Sequence, residues 1–219
     1  MDNTSLHFDQ VASTMFEKKA ISIDFENQYV LSSGVKSPLY IEVSTLISDP
    51  SDRGRVSGDV QLWISEHCRR EKTNIDAYVG IAQGGIVWAT CIAQRRCVDL
   101  LYAFPRPKDH GLFNQIAGEL PFDGANVVVI DDAITTGFSA IEVVKALREG
   151  KNGKKANVLG VYTIFDWNFP EVNQKFEELG IEKECLVSVD KLLEYGVTEG
   201  YIDVATYNRL LEFYQNYGK

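Results

Sequence analysis

The chain has 219 residues, 45% of them hydrophobic, and a formal net charge of −9 at pH 7. That length supports one sizeable core, and the acidic surplus argues against nonspecific nucleic-acid binding, leaving any anionic ligand to a local basic cluster. The opening MDNTSLHFDQ lacks the basic and apolar regions of a signal peptide, no apolar run exceeds a strand's length, and Cys68, Cys91, Cys97 and Cys185 show neither CxxC nor Cys/His spacing, so the expectation is a cytoplasmic protein with reduced thiols, no membrane span and no zinc site.

Phe8, Val11, Ala12, Met15 and Phe16 recur at the spacing of one helical stripe and predict an amphipathic N-terminal helix. Residues 29–31 and 39–43 predict short strands on either side of the turn-rich SSGVKSP, a hairpin-like excursion. Ser51 and Asp52 are expected to cap a helix that carries Val56, Val60, Trp63 and Ile64 on one face. Strand and helix signals then alternate, with AYVGI at 77–81, a glycine turn, a helix over 86–95 and a strand over 98–104. Alternation of this kind predicts βαβ units and a parallel sheet.

Residues 105–121 have no period and include Pro105, Pro107, Gly111, Gly118 and Pro121. Long structureless loops in compact domains are usually functional. Next comes VVVIDDAITTGFSA, residues 127–140, which predicts a buried strand delivering its carboxyl end to a loop, then a helix started by a Ser139/Glu142 capping box. A strand over 158–165, a helix over 170–179, a strand over 185–189 and a short helix around Leu192 follow. The last helix carries Val204, Tyr207, Leu210, Leu211 and Tyr214 as its stripe, completing an α/β fold.

Four stretches could do chemistry. In the first, Thr135, Thr136 and Ser139 offer hydroxyls and Gly137 lets backbone amides close on an anion at a helix start. Asp131 and Asp132 at its lip would repel a bare phosphate, which favours a sugar phosphate with magnesium; the bland alternative is a solvated turn. The second is FPRPKDHG, where Arg106, Lys108 and His110 alternate along an extended, proline-bearing segment and project to one side. Such a comb suits a diphosphate leaving group, although a solvated basic loop has the same composition. Third, GIAQGGI places Ala82, Gln83, Gly84 and Gly85 at a strand end, as an anion-facing turn or simply a tight β-to-α turn. The fourth is SSGVKSPLY, with Lys36 and Tyr40. Neither a GxxxxGK[ST] phosphate loop nor a GxSxG nucleophile elbow occurs.

A hydrophobic strand followed by DD and TTG resembles the 5-phosphoribosyl-1-diphosphate (PRPP) signature of type I phosphoribosyltransferases. With SGVKSPLY, KDHG…NQI-G over 108–118 and TEGYID at 198–203, the chain resembles the orotate phosphoribosyltransferase family over nearly its whole length. The resemblance implies a single domain over 1–219, with a hood from about residues 1–50 and a core of five parallel strands flanked by helices over 51–219. It also implies transfer of ribose 5-phosphate from PRPP to orotate, giving orotidine 5′-phosphate and pyrophosphate, with Mg2+ carried by PRPP near Asp131 and Asp132 rather than held by protein ligands. Family enzymes work as homodimers whose mobile loop, here 104–118, covers the neighbour's site, and no nucleic acid or membrane is involved.

By the same resemblance, Asp131 and Asp132 would hold the ribose hydroxyls, and Thr135, Thr136, Gly137, Phe138 and Ser139 the 5-phosphate. Ala82, Gln83, Gly84 and Gly85 would face pyrophosphate, Lys108 and His110 would close over it, and Lys36 and Tyr40 would line the base. Four residues depart from the family pattern. Phe104 stands where an arginine usually opens the loop, so one phosphate donor is missing unless Arg106 takes its place; Gln83 stands for threonine, and Ser44 for an arginine. Phe138 replaces a small residue, and would either crowd the cradle or swing its ring outward. Transfer to another nucleobase and PRPP sensing without catalysis are the competing readings.

Overall fold

The computed structural model describes residues 3–31, 34–106, 115–150 and 152–215. Helix α1 (Asn3–Glu17) buries Val11, Ala12 and Met15, as its stripe predicts, with Phe8 and Phe16 at the margin. Two small antiparallel ladders follow. Strand β1 (Ile21–Ile23) pairs with β4 (Leu39–Ile41), and within that pair β2 (Tyr29–Val30) meets β3 (Lys36–Ser37). The expected single hairpin is therefore a nested pair, because the three-residue ISI segment of β1, too short to show a period, supplies the outer partner.

After a 3₁₀ turn (Val43–Leu46), α2 (Pro50–Glu71) starts one step earlier than its expected Ser51/Asp52 caps. Asp49 is the capping residue: its carboxylate accepts from the Ser51 amide at 2.8 Å and the Asp52 amide at 3.3 Å, and Pro50 takes the first helical position, where no N–H is needed. The remaining elements are β5 (Ala77–Ile81), α3 (Gly84–Arg96), β6 (Asp99–Ala103), β7 (Ile116–Ala117), β8 (Ala125–Ile134), α4 (Phe138–Glu149), β9 (Ala156–Asp166), α5 (Pro170–Leu179), β10 (Glu182–Ser188), α6 (Val189–Thr198) and α7 (Val204–Gln215). On α7 the predicted stripe holds at Leu210, which is fully buried, whereas Val204 is exposed.

The main sheet has six strands in the order β10-β9-β8-β5-β6-β7. Five are parallel, and β7 adds an antiparallel edge to β6 that the five-stranded expectation lacked. Every residue of β5 is buried, the sign of a strand covered on both faces. Among the described residues no helix is long and apolar enough to cross a membrane.

Close backbone approach sets the geometry where β5 turns into α3. A Cβ on Gly85 would overlap the Ile130 carbonyl oxygen and reach the Asp131 Cα at 3.0 Å, so the helix start lies directly on β8. Gly85→Ala should therefore destabilise the chain by about 1–3 kcal/mol, the range for overpacking a fitted interior, read as a lower urea midpoint. For Asp49→Ala, loss of the cap should cost about 1 kcal/mol with the denaturant slope unchanged.

Candidate active site

Strand β8 carries both carboxylates near its carboxyl end and runs on to Ile134, with Asp131 in register with Thr163 of β9 and Ile134 with Asp166. Asp131 is buried, whereas Asp132 is half-exposed. Each carboxylate accepts the next backbone amide, Asp131 from Asp132 N at 3.0 Å and Asp132 from Ala133 N at 2.9 Å. Burial first, and then the charge on Asp132, hold the Asp131 carboxyl well above the ordinary aspartate value of 3.8. These two acids thus have different surroundings: one is desolvated and strained toward neutrality, the other is open to a ligand.

The turn before α3 closes on the second of them. A Cβ on Gly84 would run into the Asp132 carboxylate, so that glycine makes room for the acid. Ala82 N donates to Ala103 O at 2.8 Å, and the peptide joining Ala82 to Gln83 is cis. The candidate pyrophosphate turn and the acidic pair are therefore in contact, although 45 or more residues separate them in the chain.

From the N-terminal ladders, Tyr40 reaches the same place. Its hydroxyl is pushed up by burial, by Glu42 and by the charge of Asp132. Tyr29 lies beside it, ring centroids 5.6 Å apart, and the Ser44 hydroxyl donates to Glu42. Lys36 lies on β3 in register with Val30 and is exposed.

Beyond β8, Gly137 adopts φ +71°, the left-handed region, and a Cβ there would meet Phe176 and Val172 of α5 at 2.9 Å. Gly137 is the N-cap residue of α4, and no side chain caps this helix. The expected Ser139/Glu142 capping box is thus not formed: α4 begins at Phe138, one residue before Ser139, and the Glu142 carboxylate instead accepts from Lys145 at 2.9 Å. Thr135, Thr136 and Ser139 are half-buried around this uncapped end, and the Thr136 hydroxyl accepts from Phe138 N at 3.5 Å. The Phe138 ring swings outward and is 43% exposed. The ring meets Arg106, whose guanidinium carbon stands 5.1 Å from the ring centroid.

Lys108 and His110 lie outside the described residues. The base of their loop is described, and it is tied down by Gln115, a residue whose sequence context marks it only as part of NQI. Gln115 accepts from Phe104 N at 2.9 Å through its carbonyl, and its side-chain amide donates to Pro105 O at 3.2 Å and to Glu142 O of α4 at 3.3 Å. A polar residue on the return strand of a long loop was the available signal.

Comparison with known proteins agrees with this geometry. The phosphoribosyl transferase domain family matches residues 53–168. The orotate phosphoribosyltransferase of Lactobacillus johnsonii is 31% identical over 211 residues, covering 96% of this chain and 95% of that one. Among solved structures, orotate phosphoribosyltransferase from Aeropyrum pernix superposes with a TM-score of 0.67 at 26% identity, over 84% of this chain and 97% of that one. UMP synthase from Leishmania donovani shares the fold with a TM-score of 0.77 at 21% identity; the match covers 95% of this chain but 42% of that longer one. The strand-end acidic pair, the glycine turn packed against it and the relatives that match nearly end to end place this chain in the orotate phosphoribosyltransferase family.

Proposed function

We propose that the chain transfers ribose 5-phosphate from PRPP to N1 of orotate, giving orotidine 5′-phosphate and pyrophosphate. The single observation that carries this reading is the contact of the Gly84 turn with Asp132, which joins a candidate diphosphate site to a candidate ribose site. In this reaction the C1–O bond to diphosphate breaks, the bond from orotate N1 to C1 forms, and the N1 proton is released. Asp131 and Asp132 hold the ribose hydroxyls and lie close to the positive charge that develops on the ribosyl ring. Residues 135–139 bind the 5-phosphate at the uncapped start of α4, residues 82–85 face pyrophosphate, and Lys36 and Tyr40 line the base. Lys108 and His110 neutralise the departing diphosphate, so protein groups contribute by position and charge rather than by covalent bonds.

Magnesium fits the donor set. Carried in on PRPP, with its waters and the substrate's oxygens as ligands, the ion would meet the half-exposed Asp132 carboxylate beside it rather than a dedicated set of protein ligands. Bound there, it would neutralise diphosphate charge. The reading includes a homodimer in which residues 104–118 cover the neighbour's site, supported by the apolar side chains of Leu100 and Tyr102, 39% and 37% exposed on β6. It also includes a cytoplasmic location, supported by four free cysteines.

Incubation with PRPP, Mg2+ and orotate should consume orotate; turnover of another base with none of orotate would overturn the assignment. Lys108→Ala should lower kcat far more than it weakens PRPP binding, whereas equal losses would mark a simple binding contact.

The Asp131 shift has a signed consequence. Its raised carboxyl binds a proton more tightly folded than unfolded, so stability is lost as pH rises from the ordinary aspartate value through the raised one. Asp131→Asn should therefore abolish turnover yet melt above the wild type at pH 8, with the gap narrowing toward pH 3. A thermal scan against pH reads this directly.

A further inference from the structure

Inside a cradle for a phosphate dianion, a bulky aromatic residue is out of place unless its ring does something. Phe138 is the first residue of α4, directly after the Gly137 cap, and its ring points away from the core at 43% exposure. Across its face stands Arg106, 5.1 Å from guanidinium carbon to ring centroid. Arg106 comes from the opening of the long loop, and Gln115 fixes that opening by bonding both Pro105 O and Glu142 O of α4. Loop base, helix start and arginine are therefore held as one unit.

The charge balance at this end of the site needs such a unit. Asp131 and Asp132 are acidic, and the charge acting on Asp131 is that of Asp132. Hydroxyls of Thr135, Thr136 and Ser139 and the backbone amides at the start of α4, which the Gly137 cap cannot engage with a side chain, can bind an anion, but they supply only partial positive charge. A guanidinium stacked on a ring uses its flat face for the ring and keeps its N–H edge free, and that edge matches two phosphate oxygens at once.

The geometry points to Arg106, carried on the Phe138 ring, as the cation that binds the 5-phosphate of the ribosyl substrate. This inference rests on the proposed PRPP chemistry and deepens it: Arg106 serves the ribose phosphate at α4 and not the leaving diphosphate, which falls to residues 82–85 and to Lys108 and His110. Phe138 is then a positioning residue. It lowers the freedom of a long side chain that would otherwise have to be ordered by the ligand.

Two fragments of the substrate separate these roles without turnover. Ribose 5-phosphate and pyrophosphate are each titrated into the full-length protein by calorimetry, for wild type, Arg106→Ala, Arg106→Lys, Phe138→Leu and the Arg106→Ala/Phe138→Leu pair. Arg106→Ala should weaken ribose 5-phosphate about tenfold or more, the loss of a charge-assisted contact, and leave pyrophosphate unchanged. Arg106→Lys should recover only part of that loss, because an ammonium lacks the bidentate edge. Phe138→Leu should cost about two- to fivefold, the range of an exposed cation–ring contact, and nothing further when Arg106 is already alanine. Equal weakening of both fragments, weakening of pyrophosphate alone, or no change would overturn the inference. A wild-type protein that binds the fragments but leaves orotate untouched would instead count against the parent reading. Both sites are exposed, so a melting curve matching wild type is expected for each variant and confirms that the titrations report on folded protein.

Discussion

The structure depends on how closely the start of α3 lies on β8. Two glycines in sequence remove the side chains that would hold helix and strand apart, one against the Ile130 carbonyl and one against the Asp132 carboxylate. Because β8 pairs with both β5 and β9, anything pressed onto it is referred to the whole sheet. The approach does two jobs at once. It packs the core at the sheet's centre, and it brings the candidate pyrophosphate turn beside the acidic pair, so that folding alone sets these two stretches together.

The two aspartates show how one strand makes unlike groups from like residues. Successive side chains on a strand face opposite ways, and here Asp131 is buried beneath the surface that Asp132 shares with the turn and with Tyr40. Keeping Asp131 costs stability at neutral pH, since its carboxyl would rather carry a proton. Expense of that kind, at the carboxyl end of a central strand, marks function more plainly than a hydrophobic residue there could.

Strong local signals were legible in the chain itself. AYVGI and VVVI are continuous buried runs, and the structure makes strands of both; the residues of the two candidate anion turns were visible as glycine and hydroxyl clusters. What could not be read depends on contacts distant in sequence. ISI becomes a strand only because LYI returns to pair with it, and β7 only because residue 116 folds back on β6. Capping misled twice for a local reason: at Asp49 and at Gly137 the chain turned one or two residues before the Ser-based signals. The orientation of Phe138 was undecidable from type alone, since it depends on an arginine from another loop.

The two-residue β7 has a consequence for how the protein lives in solution. A parallel sheet ends in strands with unpaired amides and carbonyls, which invite another chain to add itself. On one side α1 packs alongside β10; on the other, the returning limb of the long loop lays Ile116 and Ala117 against Tyr102 and Ala103. So short an antiparallel stub offers little ladder for a stranger to extend. The root of the segment that the sequence marks as a candidate functional loop is thus also the cover of the sheet's β6 edge, so its first described residues on the return, 115–117, answer to the sheet's register as well as to the site.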